Sequence, residues 1–204
     1  MKYVARKYSL KPALLLVVGL VAQVLVVPTA LAGKSYAQFN DNDELVRPTG
    51  YREWIYIGAP LTPNDMNDGH AAFPEFHNVY IDPVSWEHWK STGEFREGTM
   101  IVKELVSVGG KSSSSGAGYF MGEYLGLEAI VKDSSRFPKD DKSLGFFRFT
   151  TDDHKGLHKV SKPLPSQSCA ACHSANAKQD GVFVQHYPVL RAAKAKGAAG
   201  TGGH

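Results

Sequence analysis

The pattern of apolar and polar positions divides this chain into a strand-rich body and a late helical segment. Residues 77–82 alternate and hold Val79, Tyr80 and Ile81, which predicts a strand. Residues 99–108 are rich in β-branched side chains and predict another. Residues 119–131 predict a long strand, joined to the previous one as a hairpin through the Ser/Gly-rich turn at 111–118. Residues 144–150, with Phe146, Phe147 and Phe149, predict a further strand. Residues 83–90 read as a short helix, with Pro83 suited to its first turn and Gly93 to its close. A second helix is expected around Cys169, where Ser166 or Ser168 stands in position to cap it, and a third over 187–193. Residues 50–57 are amphipathic but too short to type, and 59–74 and 152–165 read as loop. A four-helix bundle would show long stretches of 3.6-residue periodicity, and this body does not. The expected class is α+β, sheet-rich, with an antiparallel β-sheet and short helices.

The beginning of the chain has a different character. Lys2, Arg6, Lys7 and Lys11 precede an apolar run over 13–27, broken only by Gln23, and Ala30-Leu31-Ala32 has the small-x-small form of a cleavage site. Residues 1–32 read as a signal peptide, the alternative being an uncleaved anchor. Either places the globular part outside the cytoplasm, and a periplasmic location is expected. Residues 33–194 then form one domain by the usual length prior, and 195–204 a flexible tail of Ala, Gly and Lys. The formal charge of +3 includes the leader cations, so the mature domain is near neutral. It has no basic stripe of the kind that binds nucleic acid.

The chemistry is concentrated in Cys169-Ala170-Ala171-Cys172-His173, which matches the attachment pattern of c-type haem. On a helix, positions i, i+3 and i+4 share a face. Both sulfurs can therefore meet the two vinyl groups of one porphyrin, with the His173 imidazole directed at the iron. The alternatives are a redox dithiol and a partial zinc site. A zinc site would need further ligands, and the chain has only 2 cysteines. An electron carrier would fill the far side of the iron, often with methionine. Met66, Met100 and Met121 are the candidates, all upstream of the motif, and the favoured reading is an open sixth position.

Two polar residues fall on strands among apolar neighbours. Lys103 shares a face with Ile101 and Leu105, and Glu128 shares one with Phe120, Tyr124 and Ile130 by period two. Burying either charge costs several kcal/mol unless it is paired or neutral. The plain alternative is that Lys103 snorkels to water and Glu128 sits at a sheet edge.

Several segments in order, PTGYREW at 48–54, LTPN at 61–64, HNVYIDP at 77–83, GTMIVKEL at 98–105 and GYFMG at 118–122, together with the haem motif, resemble the cytochrome P460 family. The likeness runs from about residue 44 to 194. It implies a sheet-rich homodimer around a five-coordinate c-type haem (haem P460), one per chain, with a bond between a lysine nitrogen and a porphyrin meso carbon. The matching lysine is Lys103. Glu128 matches the family's distal carboxylate, a proton relay. His77 stands where some relatives carry arginine, so its role is left open between proton donor, pocket wall and plain strand residue. Phe73 and Phe76 are candidate distal wall residues. The resemblance further implies oxidation of hydroxylamine to nitrous oxide, nitric oxide or both, with electrons passed to a periplasmic acceptor such as a small cytochrome c. The sheet-type cytochromes c′, which bind nitric oxide without turnover and lack the cross-link, are the alternative.

Overall fold

The computed structural model describes residues 34–137 and 142–200. The signal peptide expected over 1–32, and residues 201–204 of the expected tail, lie outside the described residues. The strands are β1 (Leu45–Val46), β2 (Ile55–Gly58), β3 (Phe76–Ile81), β4 (Met100–Val108), β5 (Ser112–Ser113), β6 (Gly116–Ala117), β7 (Met121–Lys132), β8 (Leu144–Arg148) and β9 (Val160–Ser161). The helices are α1 (Pro83–Thr92), α2 (Ala170–Asn176) and α3 (Pro188–Gly200). β2, β3, β4, β7 and β8 form one sheet in that order, each strand antiparallel to its neighbours. The fold is thus α+β and sheet-rich.

Period two in β3, β4, β7 and β8 makes two different faces. On one, Met100, Val102, Leu127, Ala129, Val131 and Phe147 are buried under the N-terminal strap, with Leu45 and Trp54 in the same cluster and Tyr36 and Phe39 packed on it. On the other, Val79, Ile81 and Ile101 pack with Trp89, Phe95 and Leu190 beneath α1 and α3, and a smaller cluster of Leu144, Phe146 and Ala170 seats α2. We call these the strap face and the helix face.

Local chemistry explains how α1 is held to the sheet. Asp82 is fully buried; its Oδ1 accepts from Ser85 N–H at 2.8 Å, capping the helix, and its Oδ2 accepts from Met100 N–H at 2.9 Å, fastening the start of β4. Gly93 closes α1 in the left-handed conformation at φ 71°. Trp89 Nε1–H donates to the Leu190 carbonyl at 2.9 Å and ties α1 to α3.

The structure departs from the sequence reading at several points. Residues 50–57 divide into a 3₁₀ turn (Tyr51–Glu53) and β2. The 59–74 loop contains a second 3₁₀ turn (Asn64–Met66), and the Ser/Gly turn contains the small β5–β6 hairpin. The loop at 152–165 holds β9, which pairs with β1 far away in sequence. α3 runs to Gly200 rather than stopping near 193. Neither Ser166 nor Ser168 is the N-cap of α2: Cys169 occupies that position and makes no side-chain cap bond, while Ala171 N–H reaches the Ser166 backbone carbonyl. Finally, the β4–β7 register slips twice. Leu105 faces Gly126, but Val106 faces Tyr124 and Val108 faces Met121. The extra residues on β7 are bulges. They turn Tyr124 to the strap face beside Arg52 and Glu104, so it does not share a face with Glu128.

Candidate functional site

The site is built on the helix face, where the register aligns Val79 of β3, Lys103 of β4, Glu128 of β7 and Arg148 of β8 in one row across four strands. β7 lies between β4 and β8, so Glu128 is not at a sheet edge. Lys103 Nζ meets Glu128 Oε2 at 2.6 Å, and each side chain keeps only about a quarter of its surface, 27% and 28%. Lys103 therefore ends on a carboxylate rather than in open water. Its Nζ also lies 5.4 Å from the centre of the Phe73 ring.

α2 brings the Cys-x-x-Cys-His motif to the same face by packing Ala170 against Leu144 and Phe146. Cys169 is half-buried, Cys172 is exposed, and both thiols are free. Burial, reinforced by the Glu128 charge, pushes the Cys169 thiol up. The His173 ring lies between two aromatic rings, with Phe146 and Phe183 each edge-on at 4.7 Å. Its Nδ1 lies 2.7 Å from the Gly181 carbonyl oxygen, which can only accept, so Nδ1 carries the hydrogen and Nε2 keeps its lone pair. Burial holds the imidazole below its ordinary pKa, against the opposing Gly181 bond. Gly181 reaches this geometry at φ +70°, and a Cβ there would stand 2.8 Å from Leu144 Cδ1.

The charges of Lys103 and Glu128 act on both the Cys169 thiol and the His173 imidazole. The ion pair on the sheet and the motif on α2 thus face a common space. This donor set fits a haem: two free thiols at haem-attachment spacing, and a neutral imidazole with a fixed tautomer and a free nitrogen. Among the described residues there is no cluster of three or more His, Cys, Asp and Glu able to hold a bare metal ion. A cavity of about 320 Å³ lined by Lys34, Tyr36, Arg47 and Trp54 belongs to the strap side and is separate from this site.

The remaining candidates divide by face. His77 alternates with Asn78 and so shares the helix face with Val79. Its Nε2 lies 3.3 Å from Glu75 Oε1, and the Phe73 ring is edge-on to it at 6.0 Å. Phe76 is on the opposite face with Asn78 and Tyr80, so it cannot be a wall of this site, whereas Phe73 is beside Lys103. Met100 is fully buried in the strap-face cluster. Met121 receives an Asn78 Nδ2–H contact at 3.7 Å, also on the strap face. The sheet separates both sulfurs from His173, so neither can be its partner across an iron. Met66 is 74% exposed in the 59–74 loop.

Sequence reasoning missed Phe183, Gly181, Arg148 and Glu75. Gly181 carried a signal, a glycine a few residues beyond a short helix. Glu75 carried none, since a charged residue just before a strand reads as solvated loop.

The family model described as Cytochrome P460 matches residues 48–184, which includes every residue placed in this site. The chain is also similar to the Type-2 serine--tRNA ligase of Methanococcoides burtonii (strain DSM 6242 / NBRC 107633 / OCM 468 / ACE-M), 31% identical over 134 residues. That alignment covers 59% of this chain and 26% of the ligase, so the chain spans about a quarter of the length of the curated relative it matches.

Proposed function

The chain belongs to the cytochrome P460 family, and from that premise we propose that it is an exported mono-haem enzyme that oxidises hydroxylamine to nitrous oxide, nitric oxide or both. Family membership makes it a haem protein. The observation that carries the finer reading is the 2.6 Å Lys103–Glu128 pair facing the Cys169–His173 motif. Similarity over a quarter of a tRNA ligase does not transfer that enzyme's activity.

In this reading Cys169 and Cys172 would hold the haem through thioether bonds and His173 Nε2 would bind its iron. When bound, the haem would supply redox and Lewis-acid chemistry. The Gly181 carbonyl keeps His173 in the required tautomer, and Phe146 and Phe183 keep the ring from turning. Lys103 would supply the nitrogen of the lysine–porphyrin cross-link that the family implies. With Lys103 so engaged, Glu128 Oε2 would be free to accept a proton from hydroxylamine. A carboxylate fixed on an interior strand needs little reorganisation to do so. Electrons leave to a periplasmic one-electron acceptor, a small cytochrome c, and the functional unit is a homodimer.

One observation favours a second reading. An ammonium held in an ion pair is not a nucleophile, so Lys103 can remain unreacted, which leaves a nitric-oxide-binding protein of the cytochrome c′ kind. Anaerobic turnover separates the two. The haem-loaded protein, hydroxylamine and an artificial one-electron acceptor are mixed, and nitrous oxide and nitric oxide are measured. The enzyme reading expects catalytic product in excess of protein; the binder reading expects none, and that outcome would end the first.

A further inference from the structure

A second acid–base pair lies beside the first, and the proposed function gives it no part. Glu75 and His77 are two residues apart, their side chains are 14% and 16% exposed, and Glu75 Oε1 is 3.3 Å from His77 Nε2. Such a pair does not bring distant elements together. Buried Glu104 makes the contrast plain: it accepts from Tyr51, Arg52 and Asn78, and so ties the strap to β3 and β4. Glu75 and His77 come from a single short segment. Among the described residues the Glu75 and His77 side chains partner each other, and the Phe73 ring lies against His77. As a purely structural device, a largely covered carboxylate and imidazole are a poor choice, because apolar residues of similar size serve as well or better.

Their surroundings point to the haem site. His77 precedes by two residues Val79, the cross-strand partner of Lys103, and lies on the same face. The Phe73 ring touches both His77 and Lys103. Burial tends to push the Glu75 carboxyl up, but the His77 bond, a backbone hydrogen bond and the charges of His77 and, least, Lys103 outweigh it and keep the group below its ordinary value. Glu75 is therefore an acceptor at neutral pH. His77 Nε2–H donates to it, and Nδ1 is left as the free basic nitrogen. This is the logic of a carboxylate that fixes the tautomer of an imidazole and stabilises it when it takes up a proton.

We propose that His77 is a second proton acceptor in this site and that Glu75 is its positioning residue. The inference rests on the hydroxylamine-oxidising reading. Stoichiometry supplies the need. One hydroxylamine, NH₂OH, gives nitric oxide, three protons and three electrons; two give nitrous oxide, water, four protons and four electrons. The electrons go to the one-electron acceptor. Each carboxylate holds one proton at a time, so Glu128 alone must discharge to solvent between successive transfers. The charged groups facing His77 are Glu75 on its own segment, Lys103 from β4 and, through Lys103, Glu128 from β7.

Cyanide tests this without turnover. At neutral pH it is present as HCN, and it must give up its proton to bind a ferric haem. Association rates are measured by stopped flow on the haem-loaded protein from pH 5 to 9. His77→Gln should bind roughly a hundredfold more slowly near neutrality, the low end of what a positioned base contributes. Glu75→Gln should alter the pH profile, and Glu75→Asp should restore most of it. If both Gln variants keep the wild-type rate and profile while the wild type binds cyanide, the pair has no such role and the functional reading stands. If the wild type takes up no cyanide, the open-site reading itself fails, and this inference with it.

Discussion

Replacing Glu128 by Gln separates chemistry from architecture. The amide has almost the same shape, and its oxygen can still accept a hydrogen bond from Lys103 Nζ, which stands 2.6 Å from the present carboxylate. What is lost is the charge and the ability to take a proton. A partly screened ion pair contributes roughly 0.2–1 kcal/mol. Compared as haem-free proteins, where the wild-type pair is intact, the variant should therefore melt at most about 4 °C lower, and haem should still be incorporated. The rate should behave differently. A positioned proton acceptor contributes about 10²–10⁴-fold, equivalent to roughly 3–5 kcal/mol of barrier. Thermal denaturation followed by circular dichroism gives the first quantity, and anaerobic hydroxylamine oxidation with an artificial acceptor gives the second. A variant that keeps a rate within about threefold of wild type, at normal haem content, would refute the role assigned to Glu128. A variant that fails to fold would refute the claim that the pair is structurally minor.

Asp82→Ala removes a helix cap and strands the buried Met100 N–H; the cap and the orphaned donor together should cost about 2–4 kcal/mol in urea denaturation, with no change in the haem spectrum of the folded fraction. Gly181→Ala places a Cβ 2.8 Å from Leu144 and disfavours φ +70°; the Gly181 carbonyl should shift away from His173 Nδ1, seen as a changed iron–histidine stretching frequency in the resonance Raman spectrum of the ferrous protein. Glu75 is held below its ordinary value of 4.5 in the folded state, so its contribution is present above that pH and is lost as the pH falls through the lower folded value. Stability measured against pH below 4.5 should accordingly decline less steeply in Glu75→Gln than in wild type. Met66→Leu should leave the optical spectrum and nitric oxide uptake unchanged, because the reading assigns that exposed sulfur no bond to iron.

Much of the site was legible because its residues obey short-range rules. Lys103 and Ile101 do share a face, since β4 runs without interruption through that stretch, and the haem motif declares itself by spacing alone. Tyr124 was misplaced because bulges shift the phase of β7, and period two cannot see an inserted residue. Phe76 is a different case: alternation with His77 already put it on the far side of the sheet, and the family likeness drew it into the site regardless. β9 is a two-residue strand paired with β1, more than a hundred residues earlier, so no local pattern marks it. The extension of α3 was obscured by composition, although alanine and lysine are good helix formers. Glu75 was hidden because its burial depends on Phe73, His77 and Lys103 meeting in space.

The account centres on Lys103 and the Cys169–His173 motif sharing one haem. Mass spectrometry of proteolysed, denatured protein tests that most directly. The account predicts a single haem joining the peptide that contains Lys103 to the peptide that contains Cys169 and Cys172. Haem found on the cysteine peptide alone, with the Lys103 peptide free, would contradict it and leave a binder of small gases.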